Sequence, residues 1–155
     1  MTHRKRQFCT FNVDSLFLGI EVQQVQEVIR YQEMTRVPLA PTAIRGLINL
    51  RGQIVTAIDM RCWLGLPPRQ PGELPMNVVV RDGENAVSFL VDRIGDVLEV
   101  DDELFELPPP TVHPSVRGLI LGAYKLTDRL LLVLDTRRAL AESDALASAE
   151  TRLVS

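Results

Sequence analysis

The stretch Arg45-Gly46-Leu47-Ile48-Asn49-Leu50-Arg51-Gly52-Gln53-Ile54-Val55-Thr56-Ala57-Ile58-Asp59 holds two apolar runs, Leu47–Leu50 and Ile54–Ile58, on either side of Arg51-Gly52. A short glycine-bearing connection between β-favouring runs predicts a tight hairpin, with glycine supplying a backbone angle that other residues resist. Asp59 then opens Met60-Arg61-Cys62-Trp63-Leu64, and Gly65 with Pro67 closes it. Aspartate at an N-cap and glycine past the last turn predict a short helix there.

Outward from this stretch the chain keeps changing period. Upstream, Gln7–Val13 alternates apolar and polar residues, which predicts a half-buried strand. Asp14-Ser15 turns into a second strand, Leu16–Glu21. Val22, Val25 and Ile29 then fall at helical spacing, predicting a short helix that carries Glu27. Tyr31–Val37 is extended, and Pro38-Leu39-Ala40-Pro41 is a rigid connector. Downstream, the prolines of 67–75 exclude ladder pairing and mark a linker. Strands follow at Met76–Val80, Ala86–Val91 and Asp96–Val100, then a second connector at Pro108-Pro109-Pro110. Gly118–Thr127 and Arg129–Leu134 predict a hairpin turning at Asp128. Asp135 opens a last helix, Thr136–Glu142, before an Ala- and Ser-rich tail.

The second half repeats the first. Gly19-Ile20-Glu21 matches Leu90-Val91-Asp92, and Val25-Gln26-Glu27-Val28 matches Ile94-Gly95-Asp96-Val97. Arg45-Gly46-Leu47-Ile48 recurs as Arg117-Gly118-Leu119-Ile120, and Ile58-Asp59-Met60-Arg61 as Leu134-Asp135-Thr136-Arg137. In this alignment the second copy carries four extra residues between Gly118 and Asp135. Four matches in one order argue for duplication. Each unit has about five short strands and one capping helix, so the expected fold is mainly β: two small barrels side by side, residues 1–70 and 71–155. Units of this size bury little alone, and a shared seam is expected to stabilise both.

At 155 residues and 46% apolar composition the chain supports one core, and its longest apolar runs are too short to cross a bilayer. The basic start Thr2-His3-Arg4-Lys5-Arg6 leads into a strand rather than a signal-peptide core, so a cytoplasmic protein is expected. A net charge of −3 argues against a phosphate-binding surface. Cys9 and Cys62 read as two buried thiols, His113 as a solvent-facing histidine, and no metal-ligand spacing is present. No phosphate loop, nucleophile elbow or HExxH motif occurs, so neither enzyme chemistry nor a cofactor is expected. Glu21, Asp59, Asp92 and Asp135 read as turn and cap residues rather than acid–base pairs. Arg51 and Glu27 are the residues that this account leaves over. An exposed ion pair between them would stabilise by only about 0.2–1 kcal/mol, and an arginine ringed by Leu50, Ile54 and Val28 is better suited to anchor an interface. A solvated turn arginine is the plainer alternative.

These residues carry a resemblance. Val25-Gln26-Glu27-Val28, Arg36-Val37-Pro38, Arg45–Gly52 and Ile58-Asp59-Met60-Arg61, with Leu90–Val97, resemble the CheW family of chemosensory coupling proteins, over about residues 7–142. The resemblance implies two pseudo-symmetric five-stranded SH3-like barrels with short capping helices. It also implies a non-catalytic adaptor that bridges the cytoplasmic hairpin tip of a methyl-accepting chemoreceptor to the regulatory domain of a CheA-type histidine kinase. It places Val25, Glu27, Val28, Leu50 and Arg51 on the receptor surface and Gly46, Leu47 and Ile48 on the kinase surface. Recruitment to receptor arrays is expected, with no direct membrane or nucleic-acid contact. A module binding only one partner, as array cap, competitor or kinase inhibitor in a specialised motility or developmental pathway, is the alternative. Two positions depart from the family pattern: Thr56 stands where proline is usual, and Leu18 where an aromatic residue is frequent.

Overall fold

The computed structural model describes residues 4–83 and 85–141. The elements run β1 (Lys5–Val13), β2 (Leu16–Glu21), β3 (Val25–Ile29), β4 (Ile44–Leu50), β5 (Gln53–Asp59), α1 (Met60–Trp63), β6 (Met76–Asp82), β7 (Asn85–Val91), β8 (Arg93–Asp101), β9 (Phe105–Glu106), α2 (Pro114–Arg117), β10 (Ile120–Lys125) and β11 (Leu130–Leu134). Residues 136–141 are helical. The remainder of the expected last helix and its tail lies outside the described residues.

The strands form two sheets. Sheet I has the order β3-β6-β7-β5-β4, and sheet II the order β8-β1-β2-β11-β10-β9. One row of paired residues crosses each. In sheet I it runs Val25, Val80, Val87, Thr56, Leu47, and in sheet II Ile94, Phe11, Leu18, Leu132, Ala123. The rows have the same strand directions, including a parallel join between β5 and β7 and between β2 and β11. The duplication is therefore present in the backbone.

The repeats nonetheless exchange strands. Sheet I takes β3, β4 and β5 from the first copy but its central hairpin, β6–β7, from the second. Sheet II takes β1–β2 from the first copy and its other strands from the second. A division at residues 70 and 71 does not separate the sheets, because each copy's first hairpin pairs with the other copy's strands. Sheet II also has a sixth strand, the two-residue β9, whose pairing of Glu106 with Ala123 answers the Thr35–Leu47 bridge in sheet I.

The rows correct two of the sequence matches. Val25–Val28 and Ile94–Val97 are in register, as are Ile58–Arg61 and Leu134–Arg137. The Arg-Gly-Leu-Ile match is not. Ile44 pairs with Ile58 and Ile120 with Leu134, each followed by a bulge before Gly46 or Gly122, so Gly46 corresponds to Gly122 rather than Gly118. Arg117 and Gly118 close α2 instead, and the four extra residues disappear. Leu18 likewise corresponds to Val87, which shifts the Gly19–Glu21 match by two residues.

Local chemistry explains the elements. Arg51 (φ 52°) and Gly52 (φ 88°) are both left-handed, as a two-residue type I′ turn requires, and the Gly52 amide donates to Asn49 Oδ1 at 2.9 Å. Asp59 caps α1 by accepting from the Arg61 amide, and Asp135 accepts from the Arg138 amide at 3.1 Å. The unforeseen α2 begins at Pro114, where a missing N–H costs nothing, and its cap is His113 Nδ1, which accepts from the Ser115 amide at 3.2 Å. Val22–Ile29 is not a helix. After one 3₁₀ turn at Val22–Gln24 it becomes strand β3, because pairing with β6 outweighs a three-residue helical spacing. Cys9 and Cys62 are free and only half-buried.

One apolar core spans the sheets. Phe11, Leu18 and Ile20 of sheet II pack with Val78, Val80 and Phe89 of sheet I, which is the shared seam expected of such small units. Smaller clusters sit around Phe8 and Tyr124 in sheet II and around Ile48 and Ala57 in sheet I. No helix among the described residues is long and apolar enough to cross a membrane.

Candidate functional site: the β4–β5 tip and strand β3

β3 and β4 are the two edge strands of sheet I, yet the sheet curls far enough for its edges to meet through side chains. Arg51 Nη1 and Nη2 donate to Glu27 Oε1 and Oε2 at 3.2 and 2.9 Å, a bidentate pair. The Arg51 side chain remains 79% exposed while Glu27 is only 17% exposed. Beside them Val28 and Ile54 expose 37% and 60% of their surface. Val25 packs on the main core, and Leu50 packs with Met34 on the Ile48 cluster. The structure thus brings Glu27 and Arg51 together, leaves Val28 exposed at the next position of β3, and packs Val25 and Leu50 on the apolar clusters.

Gly46, Leu47 and Ile48 are less accessible than a contact surface requires. Ile48 is 1% exposed and belongs to the interior. Thr35 lies against β4, exchanging two hydrogen bonds of 2.8 Å with Leu47. A Cβ added at Gly46 would meet the Thr35 carbonyl oxygen at 2.6 Å. Glycine is needed there because another backbone passes over it. The solvent-facing part of this region is the Thr35–Leu47 edge rather than Ile48.

A second charged cluster, unforeseen from the sequence, ties the proline-rich loop to the body. Arg69 donates to Asp59 at 3.2 Å, to Asp92 at 3.1 Å and to the Leu90 carbonyl at 3.2 Å. Arg61 reaches Asp92 at 2.8 Å and the Pro67 carbonyl at 2.9 Å, and Arg45 reaches Asp59 at 2.9 Å. Burial alone would raise the Asp92 pKa, but the hydrogen bonds from Arg61 and the Asp14 amide, with the charges of Arg61 and Arg69, hold it below the usual carboxylate value. Arg61 is raised in turn, first by its hydrogen bond to Asp92, against the lowering effect of its own burial. Every carboxylate in this cluster is matched by guanidinium groups, which suits a structural clasp rather than proton transfer. The signal was present in sequence as Arg45, Arg61 and Arg69 on either side of Asp59, but spacing alone does not say that a loop folds back. Among the described residues no group of three or more His, Cys, Asp or Glu is placed to hold a metal ion.

Comparison with known proteins agrees with this architecture. The family model described as a CheW-like domain matches residues 7–144. The chemotaxis protein CheW of Bacillus subtilis is 31% identical over 130 residues, covering 84% of this chain and 83% of that protein. The chemotaxis protein CheW of Klebsiella aerogenes is 28% identical over 139 residues, covering 90% of this chain and 84% of the relative. Among solved structures, the scaffolding protein TtCheW from Thermoanaerobacter tengcongensis superposes with a TM-score of 0.76 at 25% identity, covering 85% of this chain and 90% of that one.

Proposed function

The chain belongs to the CheW-like domain family, and on that premise we propose that it is a non-catalytic coupling adaptor that links a chemoreceptor's cytoplasmic hairpin tip to a CheA-type histidine kinase at a receptor array. The observation that carries this reading is the Arg51–Glu27 pair at the edge of sheet I. Its arginine is exposed and held in one orientation by two hydrogen bonds, and the elements that carry the pair also expose the apolar side chains Val28 and Ile54. An ion pair whose arginine is this exposed adds little to stability, and an oriented arginine near apolar surface suits the amphipathic face of a helical hairpin. Val25, Glu27, Val28, Leu50 and Arg51 form the proposed receptor surface. Gly46, Leu47 and the Thr35 backbone above them form the proposed kinase surface, with Ile48 as its buried support.

Reconstituted kinase autophosphorylation with receptor fragments, with and without this protein, tests the reading. Receptor-dependent activation that requires Arg51 is the expected result. Kinase binding without activation would instead make the protein an array cap or inhibitor.

A further inference from the structure

The loop between Thr35 and β4 is fastened at both ends to sheet I. Thr35 exchanges its two hydrogen bonds with Leu47. At the other end the Ala43 carbonyl accepts from the Asp59 amide at 2.8 Å, and the Ile44 amide donates to the Pro41 carbonyl at 2.9 Å. Between these points the Ala40 amide donates to the Val37 carbonyl at 3.3 Å, closing a turn with Pro38 and Leu39 at its corners. Leu39 has φ 64°, the left-handed value that the second corner of a type II turn requires and that glycine or asparagine ordinarily supplies. It is also 78% exposed, and among the described residues it packs in none of the apolar clusters. A leucine here gains nothing from burial and holds a backbone angle that its side chain resists, so neither packing nor turn chemistry accounts for it.

Leu39 lines an open hollow of about 540 Å3 together with Arg36, Thr42 and Arg45, and among the described residues no carboxylate lines it. Glu33, the nearest acid in sequence, stands outside it. The two arginines differ. Arg45 is matched by Asp59 at 2.9 Å, whereas the exposed Arg36 forms neither an ion pair nor a side-chain hydrogen bond among the described residues. The loop therefore presents one unmatched positive charge beside one exposed apolar side chain. Pro38 and Pro41 fix two of its backbone angles, so the leucine is held ready and loses little freedom on docking.

We propose that Leu39 and Arg36 are specificity-determining contacts to the CheA-type kinase, Leu39 filling an apolar pocket of its regulatory domain and Arg36 facing a carboxylate beside that pocket. The inference rests on the reading of Thr35, Gly46 and Leu47 as the kinase surface, with which the loop is continuous through Thr35. The receptor is the less suitable occupant. The loop enters β4 at Ile44, and Arg51 follows its other end, Leu50, about 20 Å away at the rise of a β-strand.

The test is a calorimetric titration of the full chain with the full-length CheA-type kinase of the same organism, beside chemical denaturation of each variant. Leu39→Asn should weaken kinase binding roughly tenfold or more, as for an interface anchor. Its denaturation midpoint should be unchanged or higher, because asparagine tolerates the left-handed corner, and its binding of a receptor hairpin fragment should be unaltered. Arg36→Gln should weaken kinase binding roughly two- to fivefold at low ionic strength, a difference that vanishes at about 1 M salt, and Arg36→Lys should restore it. Unchanged affinity in Leu39→Asn, or stability lost in step with affinity, would overturn the anchor. An Arg36→Gln effect that is absent, or that survives high salt, would overturn the acidic contact. A kinase that binds the unsubstituted chain and is indifferent to both substitutions overturns this inference while leaving the adaptor reading in place. A kinase that does not bind the unsubstituted chain overturns both.

Discussion

Arg51 occupies a left-handed backbone position and, from it, lays both guanidinium nitrogens on the Glu27 carboxylate across the edges of sheet I. The two facts pull in opposite directions. A type I′ turn prefers asparagine or glycine at this place, and a side chain such as arginine costs about 1–2 kcal/mol in that conformation. The ion pair returns no more than about 1 kcal/mol. The residue is therefore not there for the fold.

It follows that Arg51→Asn, which relieves the turn but leaves the mostly buried Glu27 without its partner, should change the unfolding free energy by no more than about 1 kcal/mol in either direction, while receptor-dependent kinase activation falls at least tenfold. Chemical denaturation and the reconstituted kinase assay measure the two effects on one preparation. A variant that loses stability and activity together would show Arg51 to be structural, and the receptor surface would have to be sought elsewhere.

Gly46 offers a similar separation on the other proposed surface. Alanine there would press on the Thr35 carbonyl and lift that segment from β4. Gly46→Ala should destabilise by about 1–3 kcal/mol, the range for overpacking, and weaken kinase binding more than receptor binding in pull-down or calorimetric titration. Gly122→Ala provides the control in sheet II, since a Cβ there meets Phe105 and the Glu106 carbonyl. It should cost at least as much stability and leave kinase affinity intact once the protein is folded.

The clasp formed by Arg61, Arg69, Asp59 and Asp92 makes a pH prediction. The folded-state pKa of Asp92 is lowered, so its contribution is complete above the unfolded-state carboxylate value, about 3.9, and is lost as pH falls through the lower folded value. Asp92→Asn should flatten the acid side of the stability profile below about pH 4 and leave its shape at higher pH unaltered. Arg61→Ala, which leaves the largely buried Asp92 to Arg69 and the Asp14 amide, should cost about 1.5–3 kcal/mol at neutral pH, the range for losing hydrogen bonds to a charged group. Urea titrations across pH read both effects.

Residues carrying a local signal were legible in the sequence. The Arg51-Gly52 hairpin, the Asp59 and Asp135 caps and most strands follow from period, turn chemistry and capping, each a property of a few adjacent residues. β3 was misread because three apolar residues at helical spacing are also compatible with a paired edge strand, and only β6 decides between them. The same limit applies to the site. The Arg51–Glu27 pair is suggested by the two charges that turn and cap chemistry leave over, but the fold-back of Arg69 and the cover of Thr35 over Gly46 depend on contacts between distant segments. Identity of letters also misled. Arg45–Ile48 and Arg117–Ile120 look like copies, yet the pairing of Ile120 with Leu134 sets the repeat four residues further along.

The exchange of hairpins yields the sharpest test of the fold. Were each half a barrel, residues 1–70 and 71–155 would each fold alone. In the observed topology β1–β2 of the first half lie between β8 and β11, and β6–β7 of the second lie between β3 and β5. Each isolated half therefore lacks the centre of its own sheet and exposes Phe11 and Leu18, or Val80 and Phe89, to water. Burying one such side chain contributes about 1.5–3 kcal/mol, so losing several exceeds the stability of a small domain. Each fragment should show an unfolded circular dichroism spectrum, and an equimolar mixture should recover the spectrum and a cooperative melt in a concentration-dependent way. Two fragments that fold independently would refute the exchanged topology.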